Sequence, residues 1–143
     1  MKIVTSIFAL VIAFQAYIAN PTKETKTEKR SITVIVPNVT SNKGTVNFAL
    51  YNEDTFMKKP LQALISKVSD KKSKVVFKDV EPGEYAVICF HDANSNKTMD
   101  FEESGMPLED YGVSNNPMSY GPPQYDSAKF VVTDKDVTLE IVF

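Results

Sequence analysis

Residues 92 to 103 read Asp92-Ala93-Asn94-Ser95-Asn96-Lys97-Thr98-Met99-Asp100-Phe101-Glu102-Glu103. Oxygen-bearing side chains stand at the first, third and fifth places, with Asp100 at the ninth and Glu103 at the twelfth, which is the spacing of a calcium-binding loop. The chemistry behind the spacing is coordination. In a tightly curled backbone alternate residues aim their oxygens at a common centre, and a hard cation takes about six to eight of them at roughly 2.4 Å. Thr98, at the seventh place, would offer its backbone carbonyl, and Met99 would anchor the loop in the core. The expected ligands are therefore Asp92, Asn94, Asn96, Thr98, Asp100 and Glu103, and the expected ion is calcium. Lys97 occupies the sixth place, where glycine normally makes the sharp turn. A left-handed backbone there costs a side chain about 1 kcal/mol, and the ammonium brings positive charge towards the ion. With Asp92, Asp100 and Glu103 as the anionic ligands, affinity belongs at the weak end, on the order of 10⁻⁴ to 10⁻³ M. Asp and Asn also cap turns by accepting local backbone hydrogen bonds, so the same composition serves a metal-free turn.

His91, the only histidine, directly precedes this loop. Beside Asp92 it has the makings of a general base, yet no nucleophile elbow and no zinc-ligand spacing accompanies it. The chain is therefore read as non-catalytic, with His91 a hydrogen-bonded structural residue. Residues 104–125 are rich in Gly, Pro and Asn and carry Tyr111, Tyr120 and Tyr125. Those tyrosines either pin a long loop to the domain or face a ligand, which would make the chain a metal-free glycan- or peptide-binding module.

The elements that must position these residues read as strands. Ser31–Val36, Gly44–Tyr51, Leu61–Val68, Lys74–Val80, Glu84–His91, Ala128–Thr133 and Val137–Phe143 are short β-branched or alternating runs separated by turn residues. The pattern predicts an all-β fold, a single antiparallel β-sandwich of about seven strands, immunoglobulin/transthyretin-like, with one long loop over Asp92–Gln124. Leu61–Val68 and Lys74–Val80 are expected to pair as a hairpin, and Phe56 to be a buried anchor among Asp54, Lys58 and Lys59. Glu84–His91 is apolar on both alternations and predicts a central strand buried on both faces, with Ala86, Ile88 and Phe90 inward.

A length of 143 residues suits one domain, and 43% apolar with 24% charged residues is the composition of a folded chain. The net charge of -2, with both signs interspersed, lacks the clustered basic face that nucleic acid requires. Lys2 followed by the apolar stretch Ile3–Phe14 has the layout of a secretory signal peptide, too short for a membrane span. Residues 1–19 are assigned to that signal, 20–30 to a polar linker and 31–143 to the sandwich. The expected location is periplasmic or extracellular, with no membrane span in the mature chain. Cys89, the only cysteine, has no partner for an internal disulfide and is expected to be buried in a monomer, whose ligand is an unknown protein, peptide or glycan.

Several segments together resemble a known group. They are Glu53-Asp54-Thr55-Phe56, Pro82-Gly83-Glu84-Tyr85-Ala86-Val87, His91-Asp92-Ala93-Asn94-Ser95-Asn96 with Met99-Asp100, Gly105-Met106-Pro107, Tyr111 to Asn116, Gly121-Pro122-Pro123 and Ala128-Lys129-Phe130. As a set they resemble the exported bacterial proteins of domain-of-unknown-function family 2141. The resemblance implies a bacterial exported β-sandwich and carries no established activity. Members of that family usually have glycine at the position of Lys97.

Overall fold

In the computed structural model, which describes residues 28–118 and 120–143, sequence alternation turns directly into strands. Ile32, Val34 and Val36 share one side of β1 (Arg30–Val36) and are fully buried, as are Val46, Phe48 and Leu50 in β2 (Thr45–Tyr51). The chain continues through β3 (Gln62–Lys67), β4 (Ser73–Val80), β5 (Gly83–Asp92) and β6 (Tyr111–Val113). One helical turn, α1 (Tyr125–Ala128), then leads into β7 (Phe130–Val132) and β8 (Val137–Glu140).

The eight strands of the described residues form the expected all-β sandwich. One sheet has the order β4-β1-β8; the other runs β3-β2-β5, with β6 and β7 sharing the far edge of β5. β5 is long enough for both: β7 pairs with Gly83–Tyr85 and β6 with Ile88–Phe90. All pairings are antiparallel except β1 with β8, which is parallel. Between the sheets Ile32, Val34, Phe48, Leu50, Phe77 and Ile141 interdigitate in one main core. No described helix is long and apolar enough to cross a membrane. The expected signal segment and the expected linker up to residue 27 lie outside the described residues.

Three local expectations are corrected. The arms flanking Ser69–Lys72 do not pair as a hairpin. Their tip is a hairpin turn, since Ser69 and Lys72 exchange two 2.9 Å backbone bonds around the left-handed Asp70 and Lys71. Beyond it the arms part: β3 pairs with β2 and β4 with β1, so Val75 and Phe77 enter the main core from one sheet while Leu64 and Val68 pack against it. This burial between the sheets exceeds what two isolated strands gain from each other.

The facing of β5 is the reverse of the expected one. Val87 and Cys89 enter the main core, because Cys89 lies opposite Phe48 and directly opposed residues point to the same face. Ala86 and Ile88 take the outer face, where Ala86, Val113 and Ala128 are buried beneath Phe56, Tyr111 and Tyr125 in a second, smaller core. Phe56 serves as the expected anchor there, edge-on to Tyr51 at 5.8 Å and to Tyr125 at 5.4 Å between ring centroids.

The segment after β5 is not one loop. β6 and α1 interrupt it, and the chain between them is held by buried Ser114, whose hydroxyl accepts from the Val87 N–H and donates to the Ala128 carbonyl.

Candidate functional site

β5 ends at Asp92, and the path of the chain beyond it depends on how closely the β1–β2 connection passes. Gly44 has φ +69°, and a Cβ there would lie 2.0 Å from the Asp92 carbonyl oxygen and 2.8 Å from the Ala93 Cα. Only glycine meets both conditions. On the adjoining strand position, His91 is 4% exposed and its Nε2 donates to the Lys43 carbonyl at 2.7 Å, a bond that ties the same two segments together.

The Asp92 side chain is fully buried and organises the loop after it. Its Oδ1 accepts the Asn96 N–H at 3.0 Å and its Oδ2 the Lys97 N–H at 2.8 Å, while the Asn47 Nδ2 donates to Oδ2 at 3.3 Å. A carboxylate that takes N–H groups from the fifth and sixth places curls the backbone around itself. Ser95 and Lys97 take left-handed φ values of 62° and 67°, so the turn that glycine usually makes is made here by lysine.

The curl gathers the polar heads. Asn94 Nδ2 lies 2.7 Å from Asp100 Oδ2, and Asn96 Nδ2 lies 2.9 Å from both Asp100 oxygens. The side-chain Oδ1 atoms of Asn94 and Asn96 accept the backbone N–H groups of Asn96 and Thr98 respectively. Asp92, Asn94, Asn96 and Asp100 thus share one linked cluster, and Thr98 joins it through its backbone. Glu103 stands apart. After Asp100 the chain folds into a small hairpin, closed by Leu108 N–H to Asp100 carbonyl and Glu102 N–H to Met106 carbonyl bonds, and Glu103 lies in its exposed tip. Among the described residues its side chain makes no hydrogen bond.

Sequence spacing missed two contributors. Glu109 returns from the far side of the hairpin, where its carboxylate accepts the Ala93 N–H at 3.2 Å and the Asp100 N–H at 3.4 Å. It lies outside the twelve-residue window, and no sequence signal marks it. Asn47, on β2, has a buried Oδ1 without a hydrogen-bond partner close to the Asp92 carboxylate. Among the described residues no three Asp, Glu, His or Cys side chains are grouped closely enough to hold a metal by themselves, so any ion here would draw on amide and backbone oxygens as well.

The three tyrosines separate in role. Tyr125 donates to the Glu84 carbonyl at 3.1 Å and packs in the second core, and Tyr111 is half-buried in β6. Tyr120 is fully exposed. Tyr111 and Tyr120 border a cavity of about 780 Å³ on the outer face of the five-stranded sheet. Its floor includes Tyr51, Ile88 and Phe90, and the loop that carries Asp100 supplies Met99 and Phe101 as a wall.

Fold and site define a two-sheet β-sandwich whose last central strand opens into an acidic, amide-rich loop beside an apolar cavity. The chain belongs to the family of uncharacterized proteins conserved in bacteria (DUF2141), which it matches over residues 34–140. The match runs from within β1 to the end of β8 and includes the whole loop. No curated protein and no solved structure matches the chain.

Proposed function

We propose that this protein is an exported, non-catalytic β-sandwich in which the loop after β5 holds calcium as a structural cross-link. The observation that carries the reading is the double hydrogen bond from the Asn96 and Lys97 amides to the buried Asp92 carboxylate. It draws Asp92, Asn94, Asn96 and Asp100 into one cluster, and rotation of either Asn amide would turn an oxygen towards an ion between them. The unpartnered Asn47 oxygen is a buried acceptor that a cation or a water would satisfy. Glu109, rather than Glu103, is the better-placed further carboxylate, because it already bonds the backbone on both sides of the loop. Export rests on the charged and apolar N-terminal segment; mass spectrometry of periplasmic protein should find a mature chain lacking it.

Calcium that binds the folded chain alone stabilises it by RT ln(1 + [L]/Kd). At about 10 mM calcium and a Kd on the order of 10⁻⁴ to 10⁻³ M, that is about 1.4 to 2.7 kcal/mol. A melt in calcium should therefore exceed one in chelator by several degrees, and Asp100→Asn should abolish the difference. Equal melting of the wild type in both buffers would refute the site. A second reading, a metal-free binding module using the 104–125 segment, is favoured by the cavity bordered by Tyr111 and Tyr120.

A further inference from the structure

We infer that the cavity on the outer face of the five-stranded sheet binds one uncharged, chain-like apolar molecule, laid along Ile88 and Phe90 of β5. The inference rests on the reading of the chain as a metal-free binding module and changes its ligand from a peptide or glycan to one class of small molecule; it does not require calcium.

The sequence itself leaves this face open. Ile88 and Phe90 are only half-buried, whereas Val87 and Cys89, which alternate with them on the inner face, are fully buried. Register sets Ala49 opposite Ile88 and Ala63 opposite Ala49, so the row across β5, β2 and β3 continues in two methyl groups too short to cover Ile88. The second core closes over the Ala86 end of β5, and the hairpin after Asp100 lines the far side with Met99, Phe101 and Met106. The space between is about 780 Å³, within the roughly 300 to 1,000 Å³ of sites that enclose small organic molecules. Met57, Phe101 and Met106 are each more than half exposed around it, apolar surface that such a molecule would cover. The methionines can reshape around a flexible chain.

Charge decides the class. No Lys, Arg or His is among the described residues of the lining, so an anion entering it would shed water without meeting a cation. Its two acidic residues turn their carboxylates elsewhere, so an entering cation would gain no partner either. Glu109 directs its oxygens to the Ala93 and Asp100 amides. Asp110 continues the β5–β6 register opposite His91, on the face away from Ile88, Phe90 and Tyr111, and its carboxylate accepts from the Thr40 hydroxyl. A glycan or a peptide is uncharged too, but each needs many hydrogen bonds, and the lining has few groups to make them. Among the described residues only the Tyr85 and Tyr125 hydroxyls donate elsewhere, which leaves those of Tyr51 and Tyr111 in the lining free for one alcohol or carbonyl group.

Calorimetric titration of the folded protein at pH 7 in chelator, with decanol, decanoate, decylammonium and maltotriose, tests this. Decanol should bind saturably, one per chain, and at least tenfold more tightly than either charged compound or the sugar. Across hexanol, octanol and decanol the affinity should rise about fourfold per methylene. Phe101→Ala, at an exposed lining position, should weaken decanol about tenfold without lowering the melting temperature, whereas Val131→Ala, similarly exposed on β7 and outside the lining, should leave it unchanged. If no compound saturates, both the inference and the ligand-site reading fall. If a charged compound or maltotriose binds as tightly as decanol, and Phe101→Ala weakens it, the inference falls and the ligand site remains. If Val131→Ala weakens decanol as much as Phe101→Ala does, the binding is not at this cavity and the inference falls. A dimer in sedimentation velocity that Phe101→Ala dissociates would give this face to a second copy of the chain and overturn the inference likewise.

Discussion

At the scale of single residues, Lys97 is the clearest conflict between type and conformation. It holds φ 67° while its N–H caps Asp92, a geometry that glycine adopts without strain. Lys97→Gly should therefore raise stability by about 0.5 to 1 kcal/mol in chelator, read as a higher urea midpoint at unchanged slope. On the proposed calcium reading the gain should be larger in calcium, because the variant would also remove a positive charge from beside the ion. Cys89 shows the opposite case, a residue matched to its surroundings. It is fully buried, its thiol faces the Gly112 carbonyl, and burial pushes its pKa well up. Iodoacetamide should leave the native protein unmodified and label it fully in denaturant, as mass spectrometry would show. The folded chain keeps the thiol proton that the unfolded chain releases, so this residue's stabilising contribution falls as pH rises through the ordinary thiol range and beyond. Cys89→Val should remove that part of the alkaline destabilisation.

At the scale of elements, the loop is only as well placed as the connection that buttresses it. The β1–β2 turn touches the end of β5 at Gly44, where added atoms would collide with backbone rather than with a movable side chain. Gly44→Ala should cost more than about 2 kcal/mol, combining strain at positive φ with displacement of Asp92. Hydrogen exchange should show the loss locally, as faster exchange at the Asn96 and Lys97 amides. Protection of those amides equal to wild type would mean that the loop does not depend on this contact.

At the scale of the molecule, one main core joins the two sheets. Phe77 comes from β4 in the three-stranded sheet and Phe48 from β2 in the five-stranded sheet, and both are buried in the same cluster. Phe77→Ala should destabilise by about 3 to 5 kcal/mol. The loss should appear equally in the slowest-exchanging amides of β1 and β5, because neither sheet can bury its inner face alone. Full protection of β5 with loss of β1 would show that the sheets unfold separately.

By itself the sequence determined whatever is written in neighbouring residues. Alternating apolar positions mark β1, β2 and β4, while Asp92, Asn94, Asn96 and Asp100 advertise a curled polar loop by type and spacing. Pairing between distant segments decided the rest. β5 is apolar on both alternations, so only the register that sets Cys89 opposite Phe48 selects its inner face. The three-residue β6 and four-residue α1 are too short to express a period. The Ser69–Lys72 turn looks the same whether its arms pair or part, and Glu109 reaches the loop only because the hairpin after Asp100 folds back. The cavity, too, exists only once β5, β6 and that hairpin lie side by side. A side chain's local rhythm is fixed along the chain, but the partner that rhythm meets is fixed by packing across it.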